Sequence, residues 1–222
     1  DVIVSTYKDN TFLPKSLVAE IEYLEKTDPE FWKIYGLGQY GKLFGLIFEN
    51  YNVVSEISKE ATMVGIGIDF GFTNDPCAIL EVYKQDGELW INEIEYKRGM
   101  TNMDIGNRLK DVSIDDYSYI VADSAEPKSI QEICNQGFNV YPAQKGADSI
   151  NVSIDILKRY KLNITQNSTN LIKELRTYKW KLDKTGNSLN TPVDYNNHAI
   201  DALRYVALNV LMNSHSGIYH IA

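Results

Sequence analysis

MVGIGID, residues 63–69, is a run of apolar and small residues that ends on a carboxylate, and CAILEVYK (77–84) and LWINEIEY (89–96) follow it. Each has the length and the β-branched or aromatic content of a strand, and Gln85-Asp86-Gly87-Glu88 supplies a tight turn between the second and third. Three strands joined in this way predict an antiparallel meander.

Beyond the meander the pattern becomes an alternation. A helix is expected over 102–113, a strand over 118–122, a helix over 127–135 ended by Gly137, and a strand over 138–141. Such alternation implies parallel strands with helical crossovers. Further helices are expected at 147–160 and 168–176, and a hairpin between Tyr178 and Pro192 turning at Lys184-Thr185-Gly186-Asn187. A long terminal helix over 196–213 closes the domain. Ahead of the meander, Leu17, Val18, Ile21 and Leu24 predict a helix over 14–26, and Asp28-Pro29 ends it and starts a second short helix through Tyr35. The abrupt opening DVIVST reads as the tail of a larger preceding domain. Two parts are therefore expected, a mostly helical 1–60 and an α/β domain over 61–222.

Three aspartates stand where such a fold can bring them together. Asp69 ends the first strand, Asp123 follows the run YIVA (119–122), and Asp201 lies within NNHAIDALRYVALNVL (196–211). A carboxylate directly after a buried strand is held at the sheet edge, and Asp201 sits among Ala199, Ile200, Ala202 and Leu203 on a largely apolar helix, where an unpartnered charge is costly. Carboxylates so placed can hold a pair of divalent cations for phosphodiester chemistry. His198 precedes Asp201 by three residues and shares its helix face, so it can orient a ligand, bind metal or shuttle a proton. Asp194 is an outer ligand or a cap for the last helix, and Asp75, in Asn74-Asp75-Pro76, has turn chemistry with an outer role at most.

Composition narrows the class. At 222 residues and 44% hydrophobic content the chain can bury a sizeable core. No stretch approaches the ~20 apolar residues of a membrane span, and no basic-plus-apolar leader opens the chain. Cys77 and Cys134 lack C-x-x-C spacing, which predicts buried thiols in a reducing compartment, the cytoplasm. The net charge of −8 argues against bulk nucleic-acid binding, yet residues 145–184 carry nine basic and four acidic side chains. Lys145, Lys158, Arg159, Lys179 and Lys181, interleaved with Tyr160, Tyr178 and Trp180, form a local patch able to meet phosphates, or a solvated helix face.

The meander followed by β-α units, with acids after the first and fourth strands and on the last helix, is the ribonuclease-H-like layout. IDFGFTNDPCA (68–78), YIVADSAEPKSI (119–130), YPAQKGADSI (141–150) and TPVDYNNHAIDALRY (191–205) resemble the nuclease domain of the large terminase subunit of tailed bacteriophages. STYKDNTFLP (5–14) and IYGLGQYGKLFGLIFENY (34–51) resemble the end of that protein's ATPase domain and its linker. The resemblance implies a ribonuclease-H-like mixed sheet flanked by helices, with a β-hairpin insertion and a small N-terminal helical segment. It implies an endonuclease that cuts concatemeric double-stranded DNA during genome packaging in the bacterial host cytoplasm. Asp69, Asp123 and Asp201 would hold two Mg²⁺ or Mn²⁺ ions, with a histidine at the place of His198, and a terminase small subunit and portal protein as partners.

Two motifs mislead. Gly36 to Leu43 fits G-x-x-x-x-G-K but ends in Leu rather than the Ser or Thr that holds magnesium, so no nucleotide is expected in this fragment. Asp69-Phe70-Gly71-Phe72-Thr73 resembles the phosphate loop of actin-like phosphotransferases, whose later glycine-rich loop has no counterpart here. A junction resolvase and a non-catalytic ion-binding module are the other readings compatible with the acids.

Overall fold

The computed structural model describes residues 5–27, 32–34, 36–38, 45–114, 118–183, 185 and 187–212. The chain divides into two compact units between Leu46 and Ile47. In the first, Thr6 caps a 3-10 turn at Tyr7–Asp9, accepting from the Lys8 amide at 3.3 Å while Asp9 accepts from the Thr6 amide at 2.8 Å. Helix α1, Lys15–Thr27, follows on the predicted spacing. The second short helix through Tyr35 and the turn at 36–43 fall largely outside the described residues, as do Lys184 and Gly186 of the hairpin apex.

The second unit is a seven-stranded mixed sheet with helices on both faces. Its elements are β1 Tyr51–Val54, β2 Thr62–Asp69, β3 Cys77–Gln85, β4 Glu88–Lys97, α2 Asn102–Asp111, β5 Ile120–Ala122, α3 Pro127–Cys134, β6 Val140–Pro142, α4 Ser149–Lys158, β7 Lys161–Thr165 and α5 Thr169–Leu175. A separate hairpin, β8 Trp180–Leu182 and β9 Ser188–Pro192, then leads to α6, His198–Val206. The sheet order is β1-β7-β4-β3-β2-β5-β6, antiparallel within β2-β3-β4 and parallel elsewhere. This is the expected ribonuclease-H-like arrangement. Asp86 and Gly87 turn the β3-β4 hairpin with φ of 47° and 80°, the left-handed pair that two-residue hairpins need.

Three features differ from the sequence reading. β1 lies ahead of the expected boundary at 60 and pairs with β7, so the sheet begins within the stretch read as mostly helical. β7 itself was not foreseen, because Asn163 and Thr165 alternate with Leu162 and Ile164 and break the apolar run. Both polar side chains are buried but satisfied: Asn52 donates to Asn163 at 2.9 Å, Asn163 donates to Glu88 at 2.7 Å, and Thr165 donates to Asn92 at 2.6 Å. Finally, the terminal helix is α-helical only to Val206, after which Ala207–Leu211 forms a π-helical turn.

Two local devices arrange the residues around the site. Along β2 the side chains alternate, so Ile66 and Ile68 enter an apolar cluster with Ile105, Leu109, Ile130 and Ile133 of α2 and α3, while Gly65, Gly67 and Asp69 face α6. Gly67 lets the helix come close: a Cβ there would stand 2.0 Å from the Ala202 carbonyl oxygen. The second device is a β-bulge in β4. Ile79 pairs with Glu95 and Leu80 with Glu93, which leaves Ile94 as an extra residue. Glu93 and Tyr96, an odd number of positions apart, therefore point to the same face.

Candidate functional site

Asp69 is buried at the end of β2, 7% exposed, between two side chains of α6. Its Oδ2 lies 3.0 Å from Nδ1 of His198, and its Oδ1 accepts from the Tyr205 hydroxyl at 3.2 Å. Residues 198, 201 and 205 recur at helical spacing, so one face of α6 presents His198, Asp201 and Tyr205. Burial pushes the Asp69 carboxyl above its usual range, and the charge of Asp123 adds to this, while His198 and Tyr205 oppose it. Burial alone would lower His198, but the hydrogen bond and charge of Asp69, then Glu174 and Asp75, hold it above its usual value. Asp75, mostly exposed, stands 3.7 Å from Nε2 of His198.

Asp123 follows β5, whose parallel pairing with β2 brings the two strand ends side by side. Its amide donates to the Ile68 carbonyl at 3.1 Å, and its own Oδ1 accepts from the Ala125 amide at 2.8 Å. The Lys145 ammonium forms an ion pair with Asp123 and lies 5.5 Å from the centre of the Tyr205 ring. That lysine is held by its neighbour: the Gln144 amide donates to Asn209 at 3.0 Å, and Asn209 donates to the Tyr205 carbonyl at 2.7 Å. Asp201 accepts from Arg204 Nη2 at 3.0 Å and Asn197 Nδ2 at 3.1 Å. Burial pushes Asp201 up to about 7, with Arg204 opposing and Asp69 reinforcing the rise.

The first turn of α6 is capped in an unexpected way. Asp194 makes its charge felt at Asp201, but the helix amide of Ile200 donates 2.9 Å to Glu174 of α5. Burial pushes Glu174 up to about 7, against the lowering effect of the Ile200 amide and the Tyr96 hydroxyl. Glu174, Tyr205, Arg204 and Lys145's ion pair were not read from the sequence. For Tyr205 and Arg204 a signal existed, since they lie four and three residues after Asp201; for Glu174 there was none.

The basic stretch does not form a single patch. Lys145 reaches the aspartates, Lys158 lies 5.5 Å over the Trp180 ring, and Lys181 is exposed on the hairpin. Arg159 lines an apolar groove with Val152, Ile156, Tyr160, Leu211 and Met212. Lys179 corrects the expectation: just ahead of β8, it is 7% exposed and so presents little charge to solvent. Both cysteines are free, Cys77 buried and Cys134 half-buried. Among the described residues no helix is long and apolar enough to cross a membrane.

Residues 69–209 match the family model described as the terminase RNaseH-like domain, and residues 2–39 match that of the phage terminase large subunit. The PBSX phage terminase large subunit of Bacillus subtilis (strain 168) is 30% identical over 90% of this chain and 48% of its own length. The chain thus spans about half the length of the curated relatives it matches. Among solved structures, the large terminase nuclease domain of bacteriophage SPP1 with bound Mn superimposes with a TM-score of 0.63 at 24% identity, over 72% of this chain and 96% of that one. The large terminase nuclease of thermophilic phage G20c with bound magnesium gives 0.53 at 16%, over 75% and 98%. With its three aspartates on the strand ends and helix of a ribonuclease-H-like sheet, and the family model spanning that whole region, this chain belongs to the terminase RNaseH-like domain family of phage large terminase subunits.

Proposed function

We propose that the unit from Ile47 onward is a metal-dependent endonuclease that hydrolyses phosphodiester bonds of double-stranded DNA during phage genome packaging. The observation that carries this reading is the placement of Asp69, Asp123 and Asp201 on β2, the β5 end and α6, with Asp69 raised in pKa by burial and by the neighbouring charge of Asp123. Among the described residues no three acidic, His or Cys side chains already form a cation cage. The donor chemistry nevertheless fits. Three carboxylates supply hard oxygen donors, and their shared negative charge is balanced by the cationic side chains Lys145, His198 and Arg204.

When bound, two Mg²⁺ or Mn²⁺ ions would activate water and stabilise both the attacking and the leaving oxygen. Asp69, Asp123 and Asp201 would hold them. Tyr205 fixes the Asp69 carboxylate, and His198, anchored through Nδ1, presents Nε2, with the exposed Asp75 carboxylate 3.7 Å away, to hold or pass a proton. Lys145, the lysine nearest the aspartates, is the side chain placed to meet a DNA phosphate, with Lys158, Arg159 and Lys181 further out. No covalent enzyme intermediate is required, and the products are a 5′-phosphate and a 3′-hydroxyl. The residues ahead of Ile47 are assigned to the end of the ATPase domain and its linker, without a nucleotide site of their own. A terminase small subunit and a portal protein in the host cytoplasm complete the assembly.

Supercoiled plasmid incubated with Mn²⁺, Mg²⁺ or EDTA tests the reading. Nicking and linearisation that need the metal and vanish in Asp123→Ala are expected. Cutting in EDTA, or by Asp123→Ala at the wild-type rate, would overturn it.

A further inference from the structure

Glu174 is buried on α5, and its hydrogen bonds go to Tyr96 and Ile200 rather than to any of the three aspartates. Its Oε2 accepts the Ile200 amide at 2.9 Å and its Oε1 accepts the Tyr96 hydroxyl at 2.8 Å, and the neighbouring Ala199 amide also favours its charged form. Because α6 begins at His198, Ala199 and Ile200 are among the first amides of the helix, which have no partner within it. The residue at the usual capping position, Asn197, does not serve them: its side chain turns to Asp201. A carboxylate from a different helix does so instead. The turn that it caps is the one that carries both His198 and Asp201.

The helix that carries Glu174 is secured by the same means. Ser168, ahead of α5, makes no side-chain cap, and Glu93 of β4 accepts the Asn170 amide at 3.0 Å, the Leu171 amide at 2.8 Å and Asn170 Nδ2 at 2.6 Å. Glu93 thus fixes α5 to the sheet, Glu174 fixes α6 to α5, and Tyr96 ties Glu174 back to β4. The bulge at Ile94 is what sends Glu93 and Tyr96 to this face together. The path runs from the central sheet to the first turn of α6 through hydrogen bonds that are part-buried at Glu93 and Tyr96 and buried at Ile200.

We propose that Glu174 is a positioning residue, which sets the place of the first turn of α6 and through it the places of His198 and Asp201 relative to Asp69. The assignment rests on the reading of the three aspartates as cation ligands. What matters is the reach of the Glu174 oxygen to the Ile200 amide. Glu174→Gln keeps that reach without the charge, whereas Glu174→Asp keeps the charge but is one methylene too short.

Three measurements on the full chain, made well below each variant's Tm, test the proposal. Amide hydrogen exchange at Ala199–Asp201 in metal-free protein should be slow in the wild type and Glu174→Gln and faster in Glu174→Asp. Mn²⁺ affinity by isothermal titration should weaken in Glu174→Asp by roughly 10- to 100-fold, the usual effect of losing a group that orients a ligand, and stay near wild type in Glu174→Gln. In plasmid cutting, kcat should fall in Glu174→Asp with KM for DNA unchanged. A Glu174→Asp protein that is less stable but binds Mn²⁺ and cuts normally would overturn the proposal, since that is all a merely structural cap does. So would a Glu174→Gln protein as impaired as Glu174→Asp. Should the wild type neither bind Mn²⁺ nor cut DNA, the nuclease reading fails, and the exchange rates still decide whether Glu174 positions the turn.

Discussion

The two faces of β2 are built on opposite principles. Ile66 and Ile68 enter a closed apolar cluster in which no residue has a chemical task. On the other face Gly65 and Gly67 have no side chains, and Asp69 is a carboxylate with little solvent. The first face is what burial of hydrocarbon would choose, at about 1.5–3 kcal/mol for a fully buried aliphatic side chain. The second gives up that gain, so that α6 can approach and set His198 and Tyr205 against Asp69. Stability and chemistry are thus separated across a single strand, two residues at a time.

Substitutions on the two faces should break the comparison or sharpen it. The largest effect is expected from Asp69→Asn, which should leave no detectable plasmid cutting. Its Tm should hold or rise, because the folded state already disfavours the charged carboxylate. A marked loss of Tm would mean that Asp69 belongs to the structural half after all. Ile68→Ala should do the reverse. About 2–5 kcal/mol of unfolding free energy should be lost in urea titrations, with the cutting rate preserved at temperatures where the protein remains folded. Gly67→Ala should do both in smaller measure, at about 1–3 kcal/mol for overpacking, and should slow cutting because the added methyl meets the Ala202 carbonyl and pushes α6 away.

A weaker effect concerns pH. Burial holds Asp201 and Glu174 at about 7, above their unfolded values, so between roughly pH 4 and 7 the folded state binds more protons than the unfolded one. Their contribution is therefore complete at low pH and is lost as pH rises through 7. His198, also raised, adds a loss of the same sign above about 6.5. The Tm of metal-free protein should fall over this range, less steeply in Asp201→Asn, and Mn²⁺ at neutral pH should restore it. A metal-free Tm that climbs from pH 5 to 7 would contradict the assigned burial. The smallest change is expected for Lys158→Ala, which removes a surface contact with Trp180 worth about 0.5–1 kcal/mol and should leave cutting in low salt nearly unchanged.

The face that carries the chemistry was the more legible of the two. Asp69 and Asp123 each follow directly on a buried apolar run, which marks them as carboxylates held at the sheet edge, and the ordered set of motifs singled them out from the acids that merely end strands. His198 and Asp201 were found by helical spacing, a signal that extends to Tyr205. Local pattern failed where partners are distant in sequence. β7 was missed because Asn163 and Thr165 are buried polar residues whose bonds go to Asn52, Glu88 and Asn92, and no window of the chain contains both ends. Glu174 has the same character: among Leu171, Ile172 and Leu175 it looks like the solvated side of a helix, yet it points inward to amides of α6. The burial of Lys179 was likewise invisible to a count of charges.

The extra residue at Ile94 has a wider meaning for how such a chain can change. It acts as a frameshift in three dimensions, since everything after it in β4 is displayed on the side opposite to the one its parity would give. Flattening the bulge with Ile94 kept would turn Tyr96 from Glu174 and bring Glu95, now paired with Arg108, round to the α5 side, whereas deleting Ile94 would leave Glu93, Glu95 and Tyr96 opposite Leu80, Ile79 and Ala78 as they are. Loss of Ile94 should therefore cost its buried side chain but not the shared face of Glu93 and Tyr96, which depends on the bulge only for as long as the extra residue is there.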